Sequence, residues 1–163
     1  MKRIFSSTLE YILRQAAKPA AVYFLFIWSF VEAWFIIPIP PDVILAPMAL
    51  AKPSKAFFYA NITTISSILG GCLGFIIGMF AIDYAMGIIN TLNLQGYYDQ
   101  ALEWFSVWGS AVILIAGFTI IPFKVFTIMA GAMKMNFFLF LLAATLSRGA
   151  RFYLVSYAAK IGG

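Results

Sequence analysis

The stretch "FVEAWFIIPIPPDVILAP", residues 30–47, decides the fold. Nearly every position is apolar, yet it holds Glu32, Asp42 and the prolines Pro38, Pro40, Pro41 and Pro47. Carboxylates are expensive in hydrocarbon, and prolines remove amide donors and break helices. One uninterrupted lipid-facing helix is therefore excluded. The apolar run that contains the stretch extends from 19 to 51. Straight, it would make about 50 Å of helix, against a hydrocarbon core of about 30 Å. A chain that enters to the proline cluster and returns satisfies both length and chemistry.

Lipid is the expected solvent. The chain has 163 residues, of which 63% are hydrophobic and only 10% charged. A soluble domain carries roughly 25% charged residues, and short chains bury the smallest share of their surface. The charge is unevenly placed. Lys2, Arg3, Arg14 and Lys18 precede the first apolar run, and Lys52 and Lys55 follow it. The segment 83–105 holds Asp83, Asp99 and Glu103 and no basic residue. Short basic loops stay cytoplasmic, so both ends of the first run, and the N-terminus, are expected on that side. Residues 1–18 read as an amphipathic helix retained in the mature chain, with Glu10 and Arg14 spaced to pair.

Composition also excludes much chemistry. Histidine is absent and Cys72 is alone, so no His-based nucleophile system, thiolate metal cluster or disulfide is available. No phosphate-binding glycine loop or nucleophile elbow is present. We expect no enzyme, no cofactor, no metal site and no nucleic-acid partner.

Residues 56–80 are expected to span, with Gly70, Gly74 and Gly78 forming a bare face for close helix approach. A loop at 83–106 would follow on the outside, with 97–106 as an interfacial helix. The next apolar stretch, 107–133, is interrupted at "TIIPFKVF" by Pro122 and Lys124. Residues 137–159 form the last span and carry Arg148 and Arg151. By charge alone 107–133 could cross fully. An internal likeness favours a second hairpin. "FIIPIPPDVILAPMALAKPSKAFF" (35–58) and "TIIPFKVFTIMAGAMKMNFFLF" (119–140) share Ile-Ile-Pro, a nearby charge, an apolar return and a basic stop. A hairpin plus one span crosses the membrane once, so two such units are inverted. The expected fold is an all-α membrane protein of two inverted repeats, 19–82 and 107–160, each a re-entrant hairpin plus a span.

Glu32 and Asp42 of the first hairpin then face Lys124, Arg148 and Arg151 of the second repeat. Buried ionisable groups in a membrane point to function. The carboxylates are candidates for proton coupling and the three cations for substrate binding. Pro38, Pro40, Pro41 and Pro122 mark the hairpin breaks. Glu32 as a structural counter-charge and Asp42 as a cap on the returning helix are the plainer alternatives.

The segments "EAWFIIPIPPD" (32–42), "GFTIIPFK" (117–124), "AGAMKM" (130–135) and "SRGARF" (147–152) together resemble the DedA family of VTT-domain proteins, and within it the YqaA subgroup. The resemblance implies opposed re-entrant hairpins in a multi-pass protein of the bacterial inner membrane. It further implies flipping or scrambling of lipids such as undecaprenyl phosphate, driven by proton-motive force, with Glu32 and Asp42 as the acidic pair. The chain departs from the family at Ile120, where arginine is common, and near Lys124, one residue out of register. The partners expected are membrane lipids, an anionic polyprenyl or phospholipid phosphate, and protons. Two rival readings stay open, a proton-coupled exporter of small cations and a non-transporting scaffold. Substrate, direction and oligomeric state, a homo-oligomer included, are also open.

Overall fold

A computed structural model describes residues 16, 18–35, 39–93, 95–118 and 123–162. The expected amphipathic helix at 1–18, Pro38 and Pro122 lie wholly or largely outside them. Every element among the described residues is helical. In chain order these are α1 (Ala20–Glu32), α2 (Asp42–Ala51), a 3-10 turn (Pro53–Lys55), α3 (Ala56–Thr91), α4 (Gln95–Phe118), α5 (Phe123–Ala132) and α6 (Phe137–Gly162).

The proline-rich run does break. Helix α1 has 13 residues and α2 has 10, about 20 Å and 15 Å of helix, so neither crosses about 30 Å of hydrocarbon. Pro41 sits at the N-cap of α2 and is fully buried. Within α2, Pro47 forfeits one backbone bond and holds the element short. Lys18 and Val22 at the start of α1 lie beside Lys52 at the end of α2, so the two form an antiparallel hairpin. A second hairpin joins α4 and α5. The hydroxyl of Tyr98, near the start of α4, donates to the carbonyl of Ala132 at the end of α5 (3.3 Å), while Gly117 and Phe123 meet at the other end.

Three helical stretches are long and apolar enough to cross a membrane: Pro53–Thr91, Tyr98–Phe118 and Phe137–Gly162. The expected loop with a separate interfacial helix at 83–106 is corrected here. Helix α3 runs unbroken for 36 residues to Thr91, and α4 resumes at Gln95. Polar residues such as Asp83 and Asn90 stop a membrane span, but nothing in them stops a helix. The chain reverses only where Asn93 takes φ 54°, a left-handed cap that asparagine tolerates. The outer limb of the second hairpin is therefore longer than 107–118.

Each first limb packs on the long helix that follows it, α1 on α3 and α4 on α6. The short limbs cross over, with α2 against α6 and α5 against α3. The glycine face of α3 is divided between two partners. A Cβ at Gly70 would lie within 3.0 Å of the Phe30 carbonyl of α1, and one at Gly78 equally close to Ile128 of α5. Gly131 of α5 meets Phe75 of α3 in the same way. Backbones approach this closely only where side chains are absent.

Two apolar clusters result. One joins Leu25, Leu45, Met48, Tyr59, Ala60 and Phe152; the other joins Phe75, Phe105, Ile113, Phe123 and Phe140. Outward faces carry Ile65, Leu69, Ile76 and Phe80 of α3 and Leu142, Leu146 and Leu154 of α6. Serine, threonine and glycine are turned inward. That is the reverse of a soluble helix, and it suits a lipid surround.

The polar step at 134–136 is a stop followed by a start. Lys134, at φ 53°, donates to the Gly131 carbonyl, and Met135 to that of Ala130, which closes α5 in a Schellman turn. Asn136 then caps α6 by accepting from the backbone of Phe138 and Leu139.

Candidate functional site

The charged residues meet where the two hairpins and α6 converge, between the two apolar clusters. Glu32 is the last residue of α1, Asp42 the first of α2, and Lys124 lies in the first turn of α5. Arg148 and Arg151 share one face of α6 at i,i+3. Both short helices, α2 and α5, start here. Their N-terminal dipole ends add positive potential to the same region.

Arg148 is the hub. It is only 4% exposed. Its Nη2 donates to Glu32 Oε2 at 3.2 Å, and its Nε to Ser67 Oγ at 2.9 Å. The guanidinium carbon lies over two rings, 5.0 Å from the centroid of Phe123 and 4.5 Å from that of Phe152. Phe123 belongs to one apolar cluster and Phe152 to the other, so Arg148 ties the halves together. Cation–ring contacts of this kind gain strength when desolvated.

Lys124 approaches the other Glu32 oxygen, Oε1, at 3.9 Å, and donates to the Phe35 carbonyl at 3.2 Å. Its ion pair is the looser of the two that Glu32 makes. Arg151 directs both Nε, at 2.9 Å, and Nη2 to a single oxygen of Asp42, Oδ2. Asp42 Oδ1 is buried and has no hydrogen-bond partner, and Trp34 Nε1 is in the same condition. Both orphans belong to the connection between α1 and α2. A buried carboxylate oxygen without a donor is uncommon in native structures.

All five ionisable residues singled out in the sequence are thus brought together, acids on the first hairpin and bases on α5 and α6. Three cations face two carboxylates. Pro40 and Pro41 lie in the connection between Glu32 and Asp42. Sequence reasoning missed Ser67, Phe123 and Phe152 as holders of Arg148. A signal for Ser67 existed, because it precedes Gly70, Gly71 and Gly74 by three, four and seven residues and so lies on the glycine face. Nothing local marked the two phenylalanines among so many. Among the described residues no group of three His, Cys, Asp or Glu side chains converges as a metal site would require.

The chain is 42% identical over 161 residues to an uncharacterized protein of Haemophilus influenzae, covering 99% of this chain and 83% of that one. It is 41% identical over 161 residues to an uncharacterized protein of Histophilus somni, covering 99% and 84%. No family model matches the chain, and no solved structure matches it.

Proposed function

We propose that this chain, which belongs to the same family as those Haemophilus influenzae and Histophilus somni proteins, is a membrane transporter of the DedA type. Its substrate is an anionic lipid phosphate of the undecaprenyl phosphate class, flipped or scrambled across a bacterial inner membrane. The observation that carries this reading is the buried charge cluster. Three cations and two helix N-termini outweigh two carboxylates in a low-dielectric region, which favours an incoming anion. Lys124, whose contact with Glu32 is loose, is the cation best placed to exchange its carboxylate for a phosphate oxygen. Arg151 is the second, and Arg148 maintains the site. Glu32 and Asp42 take up and release protons as the headgroup arrives and leaves.

The crossed packing of the short limbs supports two inverted repeats, 19–82 and 107–160, each a re-entrant hairpin plus a span. In that arrangement the hairpins enter from opposite faces and meet at the charge cluster. The scaffold reading rests on one specific observation, the full engagement of Arg148. A cation exporter fits less well, because each carboxylate is already bonded to its own arginine.

Reconstitution into liposomes carrying labelled polyprenyl phosphate tests the proposal. Lipid movement is expected from the wild type, faster under a pH gradient, and is expected to be lost in Glu32→Gln and Asp42→Asn at normal abundance. Movement indifferent to the gradient would remove proton coupling and leave the flippase. No movement of lipid, with unaltered folding, would favour the scaffold.

A further inference from the structure

A second basic site lies apart from the charge cluster. Where α1 begins, α2 ends and α3 begins, a pocket of about 240 Å³ is lined by Lys18, Lys52, Lys55, Val22, Tyr23 and Tyr59. We propose that this pocket holds the phosphate headgroup of an anionic phospholipid from the surrounding bilayer. The inference does not depend on transport, since it concerns a lipid that stays bound.

Three lysines, Lys18, Lys52 and Lys55, line one small cavity. A fourth, Lys160 on the last turn of α6, lies at the same end, 5.0 Å over the ring of Phe57. No described carboxylate is among the residues that line the cavity. Glu32 and Asp42 bond Arg148 and Arg151. Asp83, Asp99 and Glu103 sit toward the α3–α4 turn, and Asp83 is about 40 Å along α3 from the pocket. Basic pockets between membrane helices on the positive side collect acidic headgroups.

The walls identify a lipid rather than a free anion. Tyr23 is 74% exposed and Phe58 50% at the pocket's rim, and Val22 adds an apolar side. Aromatic rings of this kind settle at headgroup level. Lys18 and Lys55 would take the phosphate oxygens, while Tyr23 and Phe58 would lie along the glycerol and upper acyl chain.

Thermal unfolding of the full chain in neutral detergent, titrated with phosphatidylglycerol, decides the matter. Phosphatidylglycerol is expected to raise the midpoint, and phosphatidylcholine of the same chains is not. The double variant Lys18→Gln/Lys55→Gln should weaken the apparent affinity about fivefold per lysine, and Lys18→Arg/Lys55→Arg should retain it. Lys134→Gln, at the far end of the molecule, should leave it unchanged. Equal effects of the two lipids, full protection by inorganic phosphate alone, or undiminished affinity in the glutamine double variant would each overturn the proposal. Failure of the Glu32→Gln transport test would leave it standing.

Discussion

At the residue scale, Arg148 and Lys124 are both cations on Glu32, yet their surroundings assign them different work. Arg148 uses its Nε and Nη2 in hydrogen bonds and lies over two aromatic rings. Lysine has neither the fork nor the flat face. Arg148→Lys should therefore lower stability by about 2 kcal/mol, the worth of a lost hydrogen bond to a charged group. Arg148→Leu should lower it by about 3–5 kcal/mol, because a buried carboxylate loses its main partner. Adding Glu32→Gln to the leucine variant should restore most of that loss. Thermal unfolding in detergent reads all three. Lys124→Gln should instead abolish lipid movement with a small change in stability. Rescue of stability but not of movement separates holding from binding. If Arg148→Lys is as stable as the wild type, the hub role of this residue is wrong.

At the scale of elements, the decisive contact is α3 against α5. Gly78 has the Ile128 backbone within 3.0 Å of where a Cβ would stand, whereas Gly87 has nothing within 4 Å. The two glycines lie on the same helix, so the same substitution probes contact alone. Gly78→Ala should destabilise by about 1–3 kcal/mol through overpacking. Gly87→Ala should be neutral or stabilising by up to about 1 kcal/mol, the helix propensity gained. Because α5 carries Lys124, Gly78→Ala should also slow lipid movement. Equal stability of the two variants would mean that α5 does not sit against α3 as described.

For the whole molecule, the two hairpins and the α3–α4 turn make a topological prediction. In a chain bearing Cys72→Ser, single cysteines at 18 and 54 should react with an impermeant reagent from the cytoplasmic side. Those at 96 and 135 should react from the other side. Labelling of 135 from the cytoplasm would mean that 107–133 crosses fully, and the inverted repeat would be lost.

Much of this protein follows from local properties of the chain. The break before Asp42, the helix start at Asn136 and the bare face of α3 are matters of proline, asparagine and glycine chemistry, which act over a few residues. The choice of Glu32, Asp42, Lys124, Arg148 and Arg151 rested on desolvation, which penalises any buried charge wherever its partner lies. Continuity through 83–106 was not legible, because polarity reports where a membrane ends and not where a helix ends. Which base meets which acid was equally hidden. Glu32 and Arg148 are 116 residues apart in the chain, and their meeting depends on α1 and α6 being packed around α3. The two ring contacts of Arg148 and the unpartnered oxygen of Asp42 arise in the same way, since both are created only when separate helices close on one another.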